Sequence, residues 1–274
     1  MASNNVPPSL SAGETRAPSA AASDASEAPP ATTSSGRRTG GGSLLATDYP
    51  SAAEWRTLLE TFDSKAIAHK LLLAHVPFVF RNEPLKFALF RRTIGDAFGV
   101  EPSNVFIVGS AMAGRSLKGD SLDKEYNSGS DIDTLIVSEH LFTKYLMSSL
   151  QWVAEITKPA PDKDPKNGQR KIPAIDANAR YIGMLAMNAS RGIWRPDSLP
   201  KEAIARRDFF DRFSDVSLKT LGLQLSDDTV AHVNGRVARS FQDAVNNLAS
   251  SLRKLGYELD ARDTEEDDEA DPVL

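Results

Sequence analysis

The chain has 274 residues, 41% hydrophobic and 25% charged, enough apolar material for one large domain or two small ones. With no cysteine it offers no disulfide, thiolate metal site or thiol nucleophile, which accords with a reducing, cytoplasmic setting, and no uncharged apolar run nears the ~18 residues of a membrane span. The net charge of −5 is unevenly placed: nine acids against Arg262 alone between Glu258 and Leu274 leave −8 there, so the preceding residues sum to +3 and suit a polyphosphate or nucleic-acid partner only weakly.

Residues 1–46 are mostly Ser, Ala, Pro, Gly and Thr, with almost no large apolar side chain. Such a stretch cannot bury enough surface to offset its chain entropy, and disorder is expected. It lacks the apolar core of a signal peptide, and Glu14, Asp24 and Glu27 argue against an Arg-rich transit peptide. The organisation expected is a disordered tail over 1–46, an ordered domain over 47–257 and a mobile acidic tail over 258–274.

In the ordered part, Ser51 caps a helix whose Trp55, Leu58, Leu59 and Phe62 share a face, and Asp63-Ser64 starts another through Ile67 and Leu71. A third helix spans Glu83 to Phe98, with Gly99 as its stop. Val105 to Val108 reads as a short buried strand ending at Gly109-Ser110. After a polar stretch, Asp131 to Val137 reads as a second strand. Ser138 starts a helix carrying Leu141, Tyr145 and Leu150; Pro159 to Gly168 is a loop. Ile172 to Asp176 reads as a short strand and Ala177 to Ile193 as a helix. A turn over 196–200 precedes a helix through Phe209, Phe210 and Phe213. Thr229 to Val237 alternates as a third strand, and Ser240 to Leu255 forms an amphipathic helix stopped by Gly256.

The chemistry concentrates between Val105 and Val137. Asp131 and Asp133, two apart on a strand, point the same way and repel unless a cation lies between them. Mg²⁺ is held by such carboxylates together with phosphate oxygens. Gly109 permits close backbone approach to a phosphate, and the Ser110 hydroxyl can donate to it. Each half has a plainer reading, as a turn after a strand and as acids at a strand start.

Gly109-Ser110, the helical stretch from Ala111 to Leu117 and the Ser130-Asp131-Ile132-Asp133 strand together resemble the DNA polymerase β-like nucleotidyltransferase superfamily. The resemblance covers Phe106 to Val137, a small part of the chain. It implies an α/β (α+β) core sheet with flanking helices, an NTP whose β- and γ-phosphates lie on Gly109 and Ser110, and magnesium, or manganese in its place, on Asp131 and Asp133. It also implies transfer of a nucleoside monophosphate to an acceptor hydroxyl on RNA, protein or a small molecule. Arg115 and Lys118, close after the Gly-Ser turn, are the basic residues best placed for phosphate. The segment between Leu117 and Ser130 departs from the family's pattern as a polar insertion. So does the lack of an evident third acid. Thr229 to Val237 offers His232, Asn234 and Arg236, leaving Asp176 to serve either as third metal ligand or as a helix cap. The alternative is an adaptor that binds nucleotide or RNA without turnover; reading D-x-D as a glycosyltransferase motif fits the Gly-Ser turn less well.

Overall fold

Local capping chemistry sets the first helix boundaries. In the computed structural model, which describes residues 49–127, 129–158, 174–221 and 233–269, all within the unit Gly42–Leu274, α1 (Ala52–Thr61) begins on a reciprocal cap. The Ser51 hydroxyl accepts from the Glu54 N–H, and the Glu54 carboxylate accepts from the Ser51 N–H. Asp63 caps α2 (Ser64–Leu73) by accepting from the Lys65 and Ala66 N–H groups. α3 (Pro84–Phe98) has proline in its first turn and ends at Gly99 with φ 68°, where a left-handed residue is wanted. The 1–46 tail and the 159–168 loop lie outside the described residues.

The rest of the chain alternates strands and helices: β1 (Val105–Val108), α4 (Ser110–Ala113), β2 (Ile132–Val137), α5 (Glu139–Ile156), α6 (Ala174–Ala177), α7 (Ala179–Ser190), β3 (Ile193–Trp194), α8 (Ile204–Leu221), β4 (Val233–Ala238) and α9 (Phe241–Glu269). Among the described residues the strands form one mixed sheet in the order β1-β2-β4-β3. β2 runs antiparallel to β1 and parallel to β4, and β3 is antiparallel to β4. A parallel pair needs a crossover, which here contains α5 to α8. The fold is therefore mixed α/β and mostly helical. No helix among the described residues is long and apolar enough to cross a membrane.

Four sequence expectations need correction. The helix expected over Ala111 to Leu117 stops at Ala113, because Gly114 takes a left-handed φ of 80° and ends it. Residues 174–176, expected to end a short strand, lie instead in α6. The helix expected over Ala177 to Ile193 stops at Ser190, because Ile193 and Trp194 gain more by burial and pairing with Ala238 and Val237 of β4 than by one more helical turn. α9 passes through Gly256, where a stop was expected, and continues to Glu269. Glycine in a helix costs only ~1 kcal/mol against alanine, and tertiary contacts past it outweigh that. Leu259 is buried, the Glu258 carboxylate accepts from the Gly119 N–H at 3.0 Å, and Arg262 Nη1 donates to the Gly119 carbonyl at 2.6 Å.

Beside β3, Trp194 stacks on Tyr145 at 4.6 Å, Phe209 meets both edge-on, and Trp194 Nε1 donates to Ser149 Oγ at 2.9 Å. The Tyr145 hydroxyl donates to Asp208 Oδ2 at 2.9 Å. Burial, and then the bond to this carboxylate, push the phenol above its ordinary value of 10.0. A group whose folded pKa is raised stabilises fully below its unfolded pKa and loses that contribution as pH rises above it. Tyr145→Phe is therefore expected to lower stability at pH 7 by about 1.5–3 kcal/mol, the worth of a hydrogen bond to a charged acceptor. The variant should also lose less stability than the parent between pH 9 and 11. Equal alkaline slopes in chemical denaturation would contradict this.

Candidate functional site

β1 delivers the chain to Gly109, which has φ 68° and ψ −149°, a conformation that side-chain-bearing residues adopt only under strain. A Cβ built there would lie 3.1 Å from Asp133 Oδ2. Gly109 thus lets the turn pass directly beside the acid on β2, whose register sets Val108 opposite Asp133. Behind the turn, His75 Nε2 lies 3.2 Å from the Met112 carbonyl of α4, and Ala111, Met112 and Ala113 are buried. The turn is held from the core side, with Ser110 half-buried on its open side.

β4 lies beside the acid strand, with Asn234 opposite Asp133 and Arg236 opposite Leu135. Residues paired across a sheet and those two apart on a strand share a face, so Asp131, Asp133, Asn234 and Arg236 line one side of the sheet. Asn234 Nδ2 donates to Asp131 Oδ2 at 3.4 Å. Asp133 reaches solvent through the cleft, yet the protein around it still desolvates it. Burial lifts its carboxyl above the usual range; Arg236 opposes that shift, and Asp131 adds to it. Among the described residues no side-chain hydrogen bond or ion pair reaches the Asp133 carboxylate.

These residues open on a cleft of about 560 Å³, a size within the ~300–1,000 Å³ of ligand pockets. Gly109, Ser110, Asp131, Asp133, Lys118 and Arg236 line it, so five of the seven residues singled out in the sequence come together here with one that was not. The polar insertion supplies the facing wall through Lys118, Lys124 and Glu125, with Ser116 just before it, and Leu248 and Ser251 of α9 close it. A backbone bond from Ser116 N–H to the Lys124 carbonyl and another from Tyr126 N–H to the Gly114 carbonyl fold this segment back against α4.

Two sequence candidates lie elsewhere. Arg115 donates through Nε to the Pro50 carbonyl at 3.0 Å and through Nη1 to the Leu122 carbonyl at 3.2 Å. Its guanidinium ties the segment just before α1 to the insertion instead of facing the cleft. Asp176 is exposed on α6 and does not line the cleft. Among the described residues no group of three His, Asp or Glu side chains converges as a metal site.

The sequence reading missed Arg236. Its Nε is buried without a hydrogen-bond partner, and burial, followed by the nearby Arg195, holds the guanidinium below its ordinary value while Asp133 and Asp197 pull the other way. Its place in the TVAHVNGRV alternation gave its face but not its neighbour. No protein-family model, curated protein or solved structure matches the chain.

Proposed function

We propose that the cleft binds a nucleoside triphosphate together with one divalent ion, and that the protein works as a nucleotide-binding module of the polymerase β-like nucleotidyltransferase kind without efficient turnover. The observation that carries this reading is the content of β4. The strand next to the acid pair brings Asn234, Gly235 and Arg236 alongside Asp133 and no carboxylate. Two-metal phosphoryl chemistry needs ions ~3.5–4 Å apart, each with its own anionic ligands. Here the Arg236 guanidinium stands on the side where a further acid would be needed.

The donor set suits one hard cation. Asp131 and Asp133 face the same cleft, the Asp133 carboxyl is raised in part by Asp131, and Mg²⁺ or Mn²⁺ would relieve that repulsion. When bound, the ion supplies charge neutralisation for a triphosphate. The Gly109 turn lets the backbone approach, the Ser110 hydroxyl can donate, and Lys118 adds positive charge from the insertion. RNA fits the same cleft less directly: its wall carries Glu125 as well as Lys124, and the body's charge is only slightly basic.

Titration of each of the four NTPs by calorimetry, with Mg²⁺ and with chelator, tests this. Binding is expected to depend on Mg²⁺ and to weaken by ~10-fold or more in Asp131→Asn, since losing even a supporting partner of a metal ligand has that effect. Pyrophosphate release should stay at background. No Mg²⁺-dependent binding to any NTP would overturn the nucleotide reading. Robust pyrophosphate release would restore the transferase reading and send the search for a third acid to Asp227 and Asp228, which precede β4 in the sequence.

A further inference from the structure

A second, smaller cavity of about 180 Å³ adjoins the cleft through Asp133 and Arg236. Arg195, Asp197, Phe210 and Asn234 complete its working wall; Asp131, Gly109 and Ser110 take no part in it. Arg195 comes from the residue after β3 and is gripped by Asp197, with Nε to Oδ1 at 3.0 Å and Nη2 to Oδ2 at 2.8 Å. That bidentate pair fixes the plane of the guanidinium and leaves Nη1 out of those bonds. Phe209, its neighbour in sequence, is wholly buried in the core, whereas Phe210 is only half-buried and presents its ring to the cavity.

Arg236 is the unusual member. Its Nε is buried without a hydrogen-bond partner, and it forms no ion pair among the described residues. A withdrawn guanidinium with unfilled donors is costly, and Arg195 in the same small cavity adds to that cost only in part, because Asp197 holds it in an ion pair. Asp133 and Asp197, which line the same cavity, offset part of this charge, but neither accepts a hydrogen bond from Arg236 among the described residues, so its donors stay open to a ligand. A ligand with several anionic oxygens satisfies both arginines at once. A carboxylate has two oxygens. A terminal phosphate has three and a second charge, which suits two forks converging from β4 and from the end of β3.

We propose that this cavity is a second ligand subsite that seats a terminal phosphomonoester on Arg236 and Arg195 beside the Phe210 ring. Its volume is below the ~300 Å³ of pockets that enclose a whole drug-sized ligand, so it takes an end group while the rest of the molecule extends outward. The group comes either from a small phosphorylated metabolite or from the 5′-phosphate end of an oligonucleotide. This goes beyond the nucleotide reading of the larger cleft and does not depend on it, because Arg195 lines only the smaller cavity and Asp131 only the larger.

The test uses the full chain in chelator, so that the acid pair holds no metal. Inorganic phosphate is titrated against chloride at matched ionic strength, with melting temperature and calorimetry as readouts. The parent is expected to bind phosphate. Arg195→Gln and Arg236→Gln should each weaken it by about tenfold or more, the worth of one lost charge-assisted hydrogen bond. Arg236→Lys, which keeps the charge but not the fork, should recover only part. Asp131→Asn should bind phosphate as the parent does, and Arg195→Gln should keep parental affinity for Mg²⁺ and NTP, so the two sites fail separately. A tetraribonucleotide with a 5′-phosphate that binds more tightly than both inorganic phosphate and its 5′-hydroxyl form assigns the subsite to nucleic-acid ends. Binding no tighter than inorganic phosphate assigns it to small phosphomonoesters. No phosphate-specific effect in the parent, or parental affinity in Arg195→Gln, overturns the proposal even if the Arg236 variants fail to fold.

Discussion

Gly235→Ala is expected to destabilise the protein by about 3 kcal/mol, at the upper end of the cost of overpacking a core. Gly235 pairs with Thr134 across β2 and β4, and a Cβ there would lie 2.4 Å from Thr134 Oγ1 and 2.5 Å from Phe213 Cζ. Neither neighbour can yield cheaply. Thr134 is buried and its hydroxyl donates to the Asn234 carbonyl at 2.8 Å, and Phe213 is buried against Phe98 and Phe209. For a domain of this size the loss corresponds to a fall in melting temperature of ~6–12 °C. The strand would move away from β2, carrying Asn234 and Arg236 with it, so the site should suffer along with the fold. Adding Phe213→Leu, which removes the Cζ atom in the way, should give a double variant less destabilised than the sum of the two single changes. A melting temperature within 2 °C of the parent for Gly235→Ala would mean that β4 has room on this face.

What the sequence makes legible here is what short-range chemistry determines. Ser51, Asp63, Gly99 and Ser138 mark helix ends because each cap is satisfied within four residues. β1, the Gly-Ser turn and β2 are readable because apolar runs of four to six residues are broken by residues with clear turn chemistry. β3 is two residues long, too short for any period to show, and exists because β4 pairs with it. Arg115 and Lys118 look alike in sequence, both just after the turn. They differ because the Arg115 guanidinium finds a carbonyl at Pro50, 65 positions away. Arg236 reads as one polar residue in an alternating strand. Its significance arises only from the parallel register with β2 across roughly a hundred residues, which no local pattern encodes. Asp176 shows the reverse: it has a plausible spacing in the chain, but its helix lies away from the cleft.

Cutting the chain after Gly256 is expected to be the more damaging of two truncations, although the sequence alone makes that point a natural boundary. The cut removes Leu259, which is 3% exposed, and losing a buried leucine side chain costs ~2–5 kcal/mol. It also removes the two residues that hold Gly119, through the Glu258 carboxylate on its N–H and Arg262 Nη1 on its carbonyl. Gly119 is next to Lys118 on the insertion that walls the larger cleft. Two effects should therefore appear together: a melting temperature lower by ~4–20 °C, and weaker Mg²⁺-dependent NTP binding as the Lys118 wall loosens. Cutting after Arg262 keeps all three contacts and discards seven of the nine acidic residues that follow Leu255. That shorter cut should leave stability within about 0.5 kcal/mol, the range of surface changes away from packing, with a modest gain in anion affinity at low salt that screening erases at high salt. If the two truncations melt alike, the packing of α9 beyond Gly256 contributes nothing to the fold, and the insertion is held by its own turns.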